Sequence, residues 1–165
     1  MKMSLAFLAA ACLAGAVFAQ TAEVPPGELP VEPYEISNDN AGAAPVTDAN
    51  LFSAFGGEAG IGRIVDAMVD ISLADPRIAD IFAASDLVRL RRTLKEQFCY
   101  LLAGPCDYTG MDMASSHRDH GITTAEFNAL VENLQVAMSR EGVPFRAQNK
   151  LLARLAPMHR QIVTR

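Results

Sequence analysis

The sequence is short of cysteine, of positive charge and of long apolar runs, and each shortage excludes something. Three cysteines in 165 residues are too few for a disulfide-built scaffold, and their spacing is not that of a zinc finger. Fourteen Lys and Arg stand against nineteen Asp and Glu, a formal net charge of −5. That balance is the opposite of the basic footprint a nucleic-acid binder needs. No stretch alternates apolar and polar positions with β-branched enrichment, which speaks against sheet. No nucleophile motif, phosphate loop or carboxylate pair stands out. What is present is a chain with 50% hydrophobic residues, ample for one packed core and incompatible with wholesale disorder.

The one long apolar run is N-terminal, and residues 1–19 have the form of a cleaved signal peptide. Lys2 supplies the positive start, residues 4–17 the apolar stretch, and Val17-Phe18-Ala19 the small-residue cut site after Ala19. The run is shorter than the roughly 20 residues of a membrane span. The expectation is therefore export to the periplasm or beyond, with no stable membrane insertion after cleavage; an uncleaved anchor is the alternative. Cys12 follows Ala9-Ala10-Ala11, which lacks the leucine usual at a lipoprotein site. Loss of Lys2 leaves 13 basic and 19 acidic groups, a mature charge of −6. Residues 20–48 hold five of the nine prolines, six acids and no Lys or Arg. Proline blocks helix and central strand and like charges repel, so this segment reads as an acidic tether with little fixed structure.

From Asp48 onward the pattern is helical, and residues 49–165 read as one all-α domain. A short helix is expected over 49–55 behind an Asp48 cap. A second runs from about 58 to 73, with Ile61, Ile64, Val65, Met68, Val69 and Ile71 at helical spacing and Asp75-Pro76 at its end. Ile78, Ile81 and Phe82 fall on a short turn. A third long helix over about 86–102 has Leu87, Leu90, Leu94, Phe98 and Leu101 or Leu102 as its buried stripe, and Arg89, Arg92, Lys95 and Glu96 on its solvent face. After an irregular region, Thr123-x-x-Glu126 is a capping box that opens a helix to about Arg140. Gly142 suits its stop and Pro144 the first turn of a last helix to about Val163. Pro157 should kink that helix.

Three histidines, His117, His120 and His159, are the metal-ligand candidates. His117 and His120 are three apart and could share a helix face, but spacing supplies no third ligand. Cys99 and Cys106 are seven apart, and in an exported chain a bridge between them is expected. Such a short loop would contribute roughly 2–3 kcal/mol in the chain-entropy account. A pair of free thiols is the alternative.

Several segments together resemble the group 1 (N-type) truncated haemoglobins. They are Leu51-Phe52-x-x-Phe55-Gly56-Gly57-Glu58, then Leu73-Ala74-Asp75-Pro76-Arg77-Ile78-x-x-Ile81-Phe82. Next comes Gly104-Pro105-Cys106-x-Tyr108-Thr109-Gly110-x-x-Met113-x-x-x-His117, and last Gly121-Ile122-Thr123 with the helix containing Phe127. The resemblance covers about residues 50–163. It implies a shortened globin, two helical pairs packed two-over-two around haem b. It makes His117 the proximal iron ligand and Phe82 the ring that packs on the porphyrin. Met68, Val69, Leu90, Leu94 and Phe98 would line the distal side; Met113, Ile122, Phe127 and Leu130 would wall the proximal and lower side. Arg91, Lys95 and Arg118 become candidates for the propionates.

The distal side departs from the family. Many members carry a tyrosine at the position of Val69 and a glutamine at that of Leu94; here neither residue offers a donor. Thr93 should point elsewhere, and spacing puts neither Tyr100 nor Tyr108 over that face. A charge-assisted hydrogen bond contributes about 1–3 kcal/mol, so its absence implies oxygen loss faster by about tenfold or more. The resemblance implies a five-coordinate ferrous iron that binds a diatomic gas (O2, CO or NO). It does not demand catalysis, since no distal acid or base is present. A nitric-oxide-consuming haem enzyme, a haem-free interaction module and a metal site at His117 and His120 are the rival readings. The sequence names no redox partner.

Overall fold

A computed structural model describes residues 24–48 and 50–165. The signal-peptide expectation, including Lys2, Cys12 and the cut after Ala19, lies outside these residues, as do Ala49 and residues 20–23 of the tether. Among the described residues the regular structure is entirely helical. The helices are α1 (Asn50–Ala54), α2 (Gly57–Ala74), α3 (Ala79–Ala83), α4 (Leu87–Leu101), α5 (Met113–His117), α6 (Thr124–Arg140), α7 (Phe145–Leu155) and α8 (His159–Ile162).

The boundaries follow from local chemistry. Asp48 Oδ1 accepts the Asn50 N–H at 3.1 Å ahead of α1. Asp86 caps α4, accepting the Val88 and Arg89 N–H groups. The Thr123–Glu126 capping box forms in both directions at the start of α6. At the other end of α6, the Gly142 N–H reaches the Ser139 carbonyl and the Val143 N–H the Met138 carbonyl. That pair is a Schellman stop, and it requires the positive φ of 73° that Gly142 adopts. Pro157 does more than kink the last helix: Ala156–Met158 is a 3-10 turn separating α7 from α8. The expected turn at Ile78–Phe82 is the short helix α3.

The core is the apolar stripe of α2 buried from several sides. Ile61, Ile64, Val65, Met68 and Val69 meet Phe98 and Leu101 of α4, Leu134, Ala137 and Met138 of α6, and Leu151 of α7. The Cys99–Cys106 bridge forms, with Cα atoms 5.8 Å apart.

Residues 24–48 depart from the tether expectation and run as a strap along α4 and the loop before α5. Glu28, with its side chain only 1% exposed, pairs with Arg89 at 2.9 Å and Arg92 at 2.5 Å. Ala41 is fully buried, and its carbonyl accepts the Gln97 Nε2 at 2.9 Å. The Val46 N–H donates to the Leu101 carbonyl at 2.8 Å. Tyr34, Asn38 and Asn40 bond to residues 107–110. Charge acts at one point, where Glu28 meets Arg89 and Arg92 once the fold presents them, and the contacts of Tyr34, Asn40, Ala41 and Val46 are hydrogen bonds. The face of α4 expected to be solvated is thus partly covered. Arg89 and Arg92 bind the strap, Lys95 pairs with Asp66 at 2.9 Å, and Glu96 accepts from Thr109.

Candidate functional site

The site is assembled from four helices. Two turns of α2 bring Met68 and Val69 fully into the core. The short α3, held behind Asp75-Pro76, buries Phe82. On α4, Phe98 is buried, while Leu90 and Leu94 are half-buried and pack against the same core. Asp112 caps α5 by accepting the Ser115 N–H at 3.0 Å. That short helix buries Met113 at its start and carries His117 at its end.

The His117 ring is oriented by its own helix. Nδ1 lies 2.7 Å from the Met113 carbonyl, and a carbonyl can only accept, so Nδ1 carries the proton. The neutral ring then keeps its lone pair on Nε2, which makes no hydrogen bond among the described residues. Since no buried nitrogen or oxygen there lacks a partner, this atom is reachable from outside the core. Burial holds the imidazole below its ordinary pKa; the Met113 contact works the other way and nearby His120 adds to the lowering. A half-buried, neutral, tautomer-fixed imidazole with a free Nε2 is the donor set of a metal ligand with its outer partner in place. One turn earlier on α5, Met113 belongs to the same buried apolar cluster as Met68, Val69, Phe82 and Phe98.

Ile122 and Phe127 are not part of the main apolar cluster. The Ile122 backbone carbonyl accepts the Thr164 and Arg165 N–H groups, and Phe127 stacks edge-on against His159 at 5.0 Å between ring centroids. Leu130 does pack on the cluster. Of the basic candidates, Arg91 pairs with Asp66 and Asp70 and Lys95 with Asp66; Arg118 is exposed, with Asp119 at 4.0 Å. The His117 and His120 rings stand 6.4 Å apart. No group of three His, Cys, Asp or Glu that could hold a metal exists among the described residues.

On α4, Thr93 gives its hydroxyl to the Arg89 carbonyl at 3.0 Å, and in the loop before α5 buried Tyr108 gives its own to the Met111 carbonyl at 3.0 Å. The sequence reading missed Gln97, which is buried with Nε2 3.5 Å from Met113 Sδ and 3.8 Å from Met158 Sδ. Its signal was available, because 90, 94, 97 and 101 are successive positions of one helical stripe. An open groove of about 670 Å3 lies elsewhere, lined by Asp70, Asp75, Arg77, Asn133 and Arg140 among others. None of the expected site residues lines it. Its charges are mostly engaged, with Arg77 gripping Asp75 at 2.7 Å and Glu132 at 2.6 Å.

Comparison with known proteins agrees with this fold. The family described as "Bacterial-like globin" matches residues 50–164. The group 1 truncated hemoglobin GlbN of Mycolicibacterium paratuberculosis is 29% identical over 116 residues, 70% of this chain and 85% of that protein. The GlbN of Synechocystis is 29% identical over 100 residues, 58% of this chain and 81% of that protein. Among solved structures, the truncated hemoglobin of Tetrahymena pyriformis in its Fe(III) form superposes with a TM-score of 0.66 at 23% identity, covering 70% of this chain and 98% of that one. A Synechococcus 2/2 hemoglobin, in the cyanomet state with covalently attached heme, gives 0.64 at 21% identity over 70% of this chain and 98% of that one.

Proposed function

The chain belongs to the bacterial-like globin family, and from that premise we propose that it holds haem b through His117 and reversibly binds a diatomic gas on the opposite face. The observation that carries the reading is the His117 ring, with Nδ1 committed to the Met113 carbonyl at 2.7 Å and Nε2 free. When bound, haem supplies an iron with reversible affinity for O2, CO or NO.

The chain's own residues set the character of the site. Met113 orients the imidazole, and burial keeps it neutral at pH 7, the form that can donate a lone pair. Phe82 and Phe98 offer aromatic faces to a flat macrocycle. Val69, Leu90 and Leu94 exclude water and supply no hydrogen bond, which favours CO and NO over tightly held oxygen. No acid or base on that face moves a proton, so gas binding fits better than peroxidase-type turnover. The absence of a histidine on that face favours a five-coordinate ferrous iron. We propose further that the protein works outside the cytoplasm after a cut following Ala19. Residues 1–19 and the Cys99–Cys106 bridge support this, and N-terminal sequencing of the exported protein tests it.

The test of the haem reading is the absorption spectrum of the full chain expressed with haem supplied, beside His117→Ala. A Soret band that is lost or shifted in the variant is the expected result. An identical band in both would remove His117 as ligand, and no band in either would remove haem.

A further inference from the structure

The Cys99–Cys106 bridge and the N-terminal strap meet on one loop. Cys99 is buried near the end of α4 and Cys106 is half-buried in the loop that follows. The next residues carry the strap's polar partners. The Tyr108 N–H donates to Asn38 Oδ1 at 2.7 Å, and Asn38 Nδ2 donates to Asp107 Oδ1 at 2.9 Å. The Tyr34 hydroxyl donates to the Thr109 carbonyl at 2.8 Å.

The loop starts from the Schellman stop of α4: the Ala103 N–H reaches the Tyr100 carbonyl and the Gly104 N–H the Cys99 carbonyl, with Ala103 at a φ of 60°. Gly104 is pressed so close that a Cβ there would lie 2.7 Å from Cys99 Sγ and 2.5 Å from the Phe52 ring. The covalent tie from Cys106 back to Cys99 closes this turn and keeps residues 107–110 where the strap can read them.

We propose that the Cys99–Cys106 bond is a thiol-sensitive latch for the strap: intact, it holds the loop in its strap-binding form, and reduced, it releases residues 34–46. The co-reactant is a dithiol. Its thiolate attacks the more accessible Cys106 sulfur, and Cys99 leaves as a thiolate that takes up a proton. The second thiol of the reductant then displaces Cys106, likewise protonated. The cystine gains two electrons and two protons, and the dithiol becomes a disulfide. Residues 107–109 then lose their register with Tyr34 and Asn38. Release frees the Gln97 amide from the Ala41 carbonyl, while Glu28 stays paired with Arg89 and Arg92. The proposal does not depend on haem.

The test is hydrogen exchange on the full chain, read by mass spectrometry, before and after reduction with dithiothreitol under native conditions. The added mass of two protons reports completion. The expected result is exchange at least tenfold faster over residues 34–46, where Asn40, Gly42 and Val46 donate backbone hydrogen bonds, with α2 and α6 unchanged. The Cys106→Ala variant should behave like the reduced chain without any reductant. Complete reduction with strap exchange within twofold of the oxidised chain overturns the latch, as does a Cys106→Ala strap protected like wild type. Loss of protection in α2 and α6 together with the strap also overturns it, making the bond a staple of the whole fold.

Discussion

The two walls of the candidate site are built by different means. The wall from α2 and α4 is apolar, with Met68, Val69 and Phe98 each 2% exposed or less, and its only job toward its neighbours is to exclude water. The wall around α5 rests on directed bonds: the Asp112 cap, the Met113 carbonyl on His117, the Cys99–Cys106 bridge, the Gln97 amide on Ala41 and the strap on the loop. Burial is non-directional, so the first wall depends on volume. Hydrogen bonds and a covalent tie are directional, so the second depends on particular atoms and responds to pH and redox state.

That contrast can be broken by experiment. Leu101→Ala should have the largest effect, about 2–5 kcal/mol of stability by chemical denaturation, since its side chain is fully buried. A loss below about 1 kcal/mol would mean the core refills easily and the apolar wall does not depend on volume. Glu28→Gln removes the charge that two arginines share, and should weaken strap docking by about 1–3 kcal/mol, read from exchange over residues 24–46 with α6 as the internal reference. The same contact has a pH signature. The Arg92 bond, opposed by burial and aided by Arg89, holds the Glu28 carboxyl below its ordinary value. Its contribution is therefore complete above the unfolded value of about 4.3 and fades as pH falls through the lowered native one. Strap protection, corrected for the intrinsic pH dependence of amide exchange, that is flat from pH 6 down to pH 3 would contradict this.

Smaller effects sharpen the contrast. Val69→Tyr places a donor on the apolar wall and should slow oxygen release about tenfold, close to 1.4 kcal/mol, by stopped-flow or flash photolysis. Equal rates in both proteins would show that the wall's polarity does not govern release. Thr123→Ala breaks one arm of the α6 capping box and should cost about 1 kcal/mol in thermal or chemical unfolding. A neutral result would mean that Glu126 alone sustains the cap.

Much of the first wall was legible in the sequence. The 3.6-residue spacing of Ile61 through Val69 names the buried face of α2, and Thr123, Gly142 and Pro157 mark where later helices start, stop and break. His117 stood out through its motif, and the structure adds the Met113 carbonyl that sets its tautomer. The C-terminal contacts of Ile122 and Phe127 were not legible, because Thr164, Arg165 and His159 lie more than thirty residues away in the chain. Gln97 sits on the apolar stripe of α4, and its partner is a strap carbonyl that no spacing within α4 announces.

Helix class, helix ends and the apolar face of each helix follow from the amino-acid sequence, because periodicity and capping act within a few residues along the chain. The course of residues 24–48 followed only from the tertiary structure. Their prolines and acids read as a repelling, extended tether until α4 folds and sets Arg89 and Arg92 side by side. Glu28 then finds two cations at once and the Ala41 carbonyl finds a buried donor, and these are contacts between residues 56 to 64 positions apart that no local pattern encodes.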